Sequence, residues 1–138
     1  MSPQRARICL LPAQLGLGGP ASFQAGLRRV LNDLSVSITD DPLEGGLDAI
    51  LVFGGVRRIS DLRRAKKAGV RVIQRLNGMN WVHRRKYTGV RHFLKAEAGN
   101  LKLRIIRGQA DRIIYQSKFS RDWWQRVHGE VDARQGVI

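Results

Sequence analysis

The sequence predicts an α/β domain built on a doubly wound, mainly parallel sheet. Three observations predict it: short apolar runs recur along the chain, stretches of helical periodicity separate them, and most runs end in glycine, asparagine or serine. Strands separated by helices of about 10–20 residues need crossovers, which set neighbouring strands parallel and place helices on both faces. The 138 residues, 43% of them apolar, suit one globular domain with its own core.

The elements follow in order. RICLLP (7–12) reads as a buried strand, and residues 20–34 set Phe23, Leu27, Val30, Leu31 and Leu34 on one helical face. SVSITD (35–40) alternates as a strand does, and DPLEGG is a turn. DAILVFGG (48–55) is a second buried strand, and ISDLRRAKKAG a helix capped by Ser60 and stopped by Gly69. VRVIQRLNG (70–78) is a strand ending in a small polar turn, after which residues 80–90 are irregular and very basic. From Arg91 to Arg107, Leu94, Ala98, Leu101 and Ile105 keep helical spacing, with Gly99 in the middle. DRIIYQS (111–117) is a strand and FSRDWWQRVHG (119–129) a helix ended by Gly129. On that helix Trp123 shares a face with Phe119 and Val127 and is assigned to the core, Trp124 to an edge. GVI begins one more strand. No repeat, low-complexity tract or linker intervenes, so residues 1–138 are taken as a single domain.

Composition narrows the function classes. No apolar run approaches the ~20 residues of a membrane span. The apolar part of MSPQRARICLLPAQ is shorter than a signal-peptide core of about 7–15 residues, so a cytoplasmic chain is expected. The single cysteine, Cys9, excludes an internal disulfide and reads as a buried, inert thiol. No histidines and carboxylates have metal-ligand spacing, and no metal is expected; His83 and His92 read as solvated. The net charge of +14 is uneven: residues 1–55 carry four basic and five acidic side chains, residues 56–138 carry 21 and six. Such asymmetry points to an anionic partner, a membrane surface or a nucleic acid.

In open α/β sheets ligands bind beyond the carboxyl ends of the strands. Here those ends carry LGLGGP, FGG, RLNGMNW and YQSKFS. Gly16, Gly18 and Gly19 form neither the G-x-G-x-x-G dinucleotide fingerprint nor a Walker A loop. They lead through Pro20 into a helix, whose free N–H groups and positive dipole end suit a phosphate.

Four segments in this order, GLGGPASF, DAILVFGG, VRVIQRLNGMNW and ADRIIYQSKFSRDWW, resemble the N-terminal domain of GT-B glycosyltransferases, closest to the large retaining family four. The resemblance spans roughly residues 5–138 and implies a Rossmann-like, acceptor-side half of a two-domain enzyme. A nucleotide-sugar would be the donor substrate, bound by a C-terminal donor-binding domain or subunit that this chain lacks, with no tightly bound cofactor. Gly18, Gly19 and Pro20 would then face the donor phosphate or the transferring sugar. Asn77, Gly78, Asn80, Trp81, Ser117 and Phe119 would border the acceptor-side cleft, holding a sugar or lipid-linked acceptor. Many relatives place a histidine or aspartate where this chain has Asn77 and Asn80, which cannot act as bases, so no catalytic residue is assigned. The acidic pair of the family's second half has no counterpart, and the isolated chain is expected to lack transferase activity.

The stretch WVHRRKYTGVRHFLKAEAGNLKLRIIRG pairs basic residues with an apolar helical face, as basic interfacial helices do. Arg84, Arg85, Lys86, Arg91 and Lys95 are its candidates for contact with an anionic surface, which would make the protein peripheral at a membrane. Trp81, Tyr87 and Phe93 among the same charges would also suit a nucleic acid, but no nucleic-acid-binding signature is present, and that partner is the weaker alternative. A polyanion-binding α/β module and a non-catalytic Rossmann-like scaffold are the alternatives to the transferase half.

Overall fold

The structure, a computed structural model, describes residues 4–13, 18–54, 56, 58–79 and 82–137. The elements are β1 (Arg7–Leu11), α1 (Gly19–Asp33), β2 (Ser37–Thr39), β3 (Ala49–Val52), α2 (Ile59–Lys67), β4 (Arg71–Leu76), α3 (Val82–Arg85), α4 (Val90–Gln109), β5 (Arg112–Tyr115), α5 (Lys118–His128) and β6 (Arg134–Val137). One six-stranded sheet runs in the order β2-β1-β3-β4-β5-β6, every pair parallel. The expected α/β, doubly wound parallel architecture is therefore the one observed, and Gly136 and Val137 of the closing GVI do lie in a sixth strand, which begins at Arg134.

Local chemistry fixes the ends of the helices. Gly18 caps α1 at φ 114 and ψ −163, a conformation almost confined to glycine. Gly18→Ala therefore costs about 1–3 kcal/mol, whereas at Gly19 an added Cβ meets nothing within 4 Å. Thermal melts of the two alanine variants should separate them, with Gly18→Ala falling and Gly19→Ala holding. At the end of α2, Gly69 takes φ 89. Its N–H donates to Lys66 O (3.0 Å) while Val70 N–H donates to Ala65 O (3.1 Å), closing the helix as a Schellman turn. Ser60 is not its cap: α2 starts after Arg58 without a side-chain cap, and Ser60 lies inside the first turn. Ser117 caps α5, its Oγ accepting from Ser120 N–H at 3.1 Å, and Gly129 at φ 73 ends it.

Two aspartates tie the sheet together just before their own strands begin. Asp48 Oδ2 accepts from the Arg7 amide, and Asp111 Oδ2 from the Val72 amide, both at 2.8 Å. Each carboxylate thus joins the first turn of one strand to its neighbour, which is the local work of the aspartates in DAILV and ADRIIY.

Both core clusters lie on one face. Cys9, Ile50, Val52 and Val72 meet Leu62 and Ala65 of α2 and Ile106 of α4. Leu76, Ile113 and Tyr115 meet Trp124 of α5, with Leu103 of α4 packed alongside. Helices stand on both faces as expected, but the other face carries α1 as its only helix among the described residues, so the cover is unequal. The burial expected of two helical stripes changes accordingly. Val30 of α1 and its capping residue Leu34 are more than half exposed, and Phe23, although it packs on Phe53 and Arg75, stays at the exposed margin. On α4, Leu94 and Leu101 are 63% and 55% exposed. That helix buries Ala96, Asn100, Ile106 and Arg107 instead. Its inward stripe includes polar groups with partners, such as the Leu103 carbonyl receiving Gln74 Nε2–H at 3.1 Å, so leucine spacing marked the outer side. The two tryptophans are also exchanged: Trp124 is 0% exposed, whereas Trp123 is half-buried with its ring edge-on to Phe119.

Cys9 is buried as expected, and burial, helped by Asp40, Asp41 and Glu44, pushes its thiol up to about 12. A maleimide should therefore label Cys9 only as fast as the protein unfolds. Rapid labelling of the native protein at pH 8 would show the strand to be open.

Candidate functional site

The chain leaves β1 towards β2 on one side and returns to β3 on the other, so the strand order reverses between β1 and β3. Such a reversal opens a crevice at the carboxyl ends of the strands. Three side chains from distant parts of the sequence converge there. Phe23, in the second turn of α1, meets Phe53, the residue after β3, edge to face with centroids 5.6 Å apart. The Arg75 guanidinium, near the end of β4, lies 4.1 Å from the Phe23 ring centre. This stacking holds a cation on an apolar floor. Arg75 Nε is buried without a hydrogen-bond partner, and burial draws the guanidinium's pKa below the ordinary arginine value.

Beside it a groove of about 240 Å³ is lined by Phe53 and Gly54 after β3, Arg75, Asn77 and Gly78 around the end of β4, and Gly99, Lys102 and Leu103 of α4. Among the described residues its lining holds two cations and no carboxylate. The backbone of Asn77 is fixed because its carbonyl accepts from Trp124 Nε1–H at 2.7 Å. The side-chain Oδ1 of Asn77 is buried with no hydrogen-bond partner. An unpaired buried acceptor costs free energy until a donor reaches it, so a ligand hydroxyl is the natural complement. Among the described residues of its lining, Lys102 is the one side chain of a type that serves as a base or nucleophile. The described groups suit binding and orienting a ligand.

The sequence-expected residues divide. Gly18 and Gly19 stand at the N-terminus of α1 at this same edge, with Pro20 in the first turn. Asn77 and Gly78 line the groove. Ser117 spends its oxygen on capping α5, and Phe119 is exposed beyond it. Asn80 and Trp81, like Gly16, lie outside the described residues. Phe53, Gly54 and Arg75 fall within the FGG and RLNGMNW strand ends marked out in the sequence but were not assigned individually, and Gly99 and Lys102 of α4 were not expected. For Arg75 a signal was present: Arg71, Ile73 and Arg75 alternate on one side of a strand whose other side is Val72, Gln74 and Leu76.

Among the basic candidates, Arg85, Lys86, Arg91 and Lys95 are exposed. Arg84 is engaged with Glu97 through Nε at 2.7 Å and Nη2 at 3.0 Å. His83 is not solvated: its side chain is buried, its Nε2 lies 2.7 Å from Glu97 Oε1, and its ring packs edge-on to Phe93. The hydrogen bonds from Arg84, then His83, hold the Glu97 carboxyl down at about 2 against an ordinary 4.5. A carboxylate depressed in the folded state stabilises fully above its unfolded pKa and loses that contribution as pH falls through the folded one. The attachment of α3 to α4 should thus weaken between pH 4.5 and about 2. Amide exchange across residues 82–85 should rise in that window relative to α5, and Glu97→Gln should raise it already at pH 7. Equal exchange in both proteins would remove the clamp.

The fold defines the class: an all-parallel, Rossmann-like α/β domain with a groove at the edge where such sheets take ligands. Set against protein-family models, curated proteins and solved structures, the chain matches none.

Proposed function

We propose that this chain is the acceptor-side half of a GT-B-type glycosyltransferase, acting with a donor-binding domain or subunit on a nucleotide-sugar. The observation that carries the reading is the buried, unpartnered Asn77 Oδ1 in a cationic groove at the carboxyl edge, on the loop of the RLNGMNW segment. Such an acceptor suits a sugar hydroxyl, while Arg75 and Lys102 suit an anionic group on the same molecule. Gly19, bare and sterically unconstrained, leaves the amides of α1 open to a phosphate or sugar arriving from across the cleft.

The test is made in the cells that produce the protein. Extracts from wild-type cells and from a deletion strain are given a panel of labelled nucleotide-sugars. One transfer activity should disappear on deletion and return with the wild-type gene. Gly19→Leu should return it at least about tenfold weaker, as expected when donors to developing charge are obstructed. An unchanged panel on deletion would overturn the reading; full activity with Gly19→Leu would reduce the glycines to a turn.

The outer side of α4 favours attachment to an anionic lipid surface as part of this role. Val90, Leu94 and Leu101 are exposed there among Arg91 and Lys95. Each basic residue near such a surface contributes about 1 kcal/mol. Among the described residues no helix is long and apolar enough to cross a membrane. Sedimentation with phosphatidylglycerol vesicles but not phosphatidylcholine vesicles, lost in Leu94→Asp, is the expected result.

A further inference from the structure

Parallel sheets normally have both faces covered, because their strands are apolar on both sides. Here α2, α4 and α5 cover one face, while α1 packs on the other mainly against β2, and its Phe23 meets Phe53 after β3 and Arg75 of β4. Strand register places Ile73 and Arg75 of β4 with Arg112 and Ile114 of β5 and Arg134 and Gly136 of β6 on that second face. Ile73 and Ile114 are only half-buried. A groove of about 350 Å³ runs over Ile73 between Arg71, Arg112 and Arg134.

The charges on this face are unmatched. Arg112 and Arg134 are direct cross-strand neighbours, and like charges so placed destabilise a sheet. Among the described residues, no carboxylate forms an ion pair with Arg71, Arg112 or Arg134. Asp111 borders the groove but is engaged by the Val72 amide and by Lys66 Nζ at 3.5 Å. The exposed Phe23, Val30 and Leu34 form a second apolar margin, on the flank of α1 whose Phe23 reaches under Arg75.

We propose that this sheet face is a docking surface for an acidic amphipathic α-helix of a partner protein. Its apolar side would seat on Ile73 and Ile114 against the Phe23 flank, and its carboxylates would meet Arg71, Arg112 and Arg134. A helix is the element that covers parallel strands elsewhere in this fold, and acidity is the complement of an unpaired arginine row. A second copy of this chain would bring two such rows together. A single-stranded nucleic acid would find isoleucines on the strands where successive bases need stacking rings.

The probe is a fluorescein-labelled synthetic helix of leucine and glutamate, titrated into the whole chain at 150 mM salt, near physiological ionic strength. A peptide with lysine in place of glutamate and a DNA duplex serve as comparisons. The glutamate peptide should bind, and the lysine peptide should not. Affinity should fall about tenfold or more in Arg112→Glu/Arg134→Glu and in Ile114→Asp, but change little in the charge-matched Arg63→Glu/Lys67→Glu, exposed on α2 over the opposite face. Circular dichroism confirms that each variant is folded. Equal losses in both double variants would reduce the effect to the overall charge and overturn the proposal. So would equal binding of the lysine peptide, or tighter binding of DNA lost in the same variants. A dimer of the free chain that Ile114→Asp dissociates would assign the face to a second copy instead.

Discussion

Replacing Trp124 by alanine lowers the unfolding free energy by about 3–5 kcal/mol, the range for removing a large aromatic side chain from a core. Three features set it at that end. The side chain is fully buried, it belongs to the cluster that joins α5 to β4 and β5, and its Nε1–H is the donor to Asn77 O. Its loss leaves a cavity under α5 and an unpaired carbonyl in the loop that lines the groove. Domains of this kind hold only about 5–15 kcal/mol in all, so the variant should melt many degrees lower. Trp124→Phe keeps most of the volume and loses the donor, and should fall between the two. Chemical denaturation followed by circular dichroism measures both. A loss below about 1 kcal/mol in Trp124→Ala would mean that α5 is not packed as described.

Arg107→Leu is the second large effect, at about 2–4 kcal/mol. Its side chain is almost fully buried on α4, with Nη2–H donating to Gly129 O at 2.6 Å, Nε–H directed at Tyr115 Oη at 3.4 Å, and the guanidinium 5.9 Å from the Trp124 ring. It satisfies a carbonyl at the negative end of α5, where a cation is favoured. Leucine fills part of the space but leaves that carbonyl unmet, and Arg107→Lys restores a point charge without the planar fork. Because Arg107 and Trp124 share one cluster, the double variant should lose less than the two single losses together. Strict additivity would show that the arginine and the tryptophan act on α5 separately.

β1, β3, β4 and β5 were legible because each holds a compact apolar run, and two helix ends because Gly69 and Gly129 have specific backbone work to do. The helix starts were not: Ser60 is no cap and Ser117, read into a strand, is one. The burial of the helices was not. Leu94 and Leu101 keep helical spacing, yet the stripe that packs includes Asn100 and Arg107, whose polarity hid it. Adjacent tryptophans gave no basis for choosing between them until α5 was seated on β5. The groove was half legible. Asn77 and Gly78 follow a strand and were expected; Arg75, Phe53 and Lys102 meet only because of the strand order, which no local pattern encodes. His83 looked like one more polar residue in a basic stretch, and only its partner Glu97, on another helix, explains its burial.

The sheet order also converts a lopsided sequence into a lopsided object. β2, β1 and β3 come from the first 52 residues, β4, β5 and β6 from residue 71 onward, and the two groups occupy opposite halves of the sheet. The slightly acidic and strongly basic parts of the chain are therefore separated across its width, giving the molecule a permanent dipole in the plane of the sheet. In the field of any polyanion it experiences a torque as well as a pull, and turns its β6 edge forward before contact. Raising the salt would slow such encounters and, at the same time, randomise the direction from which they begin.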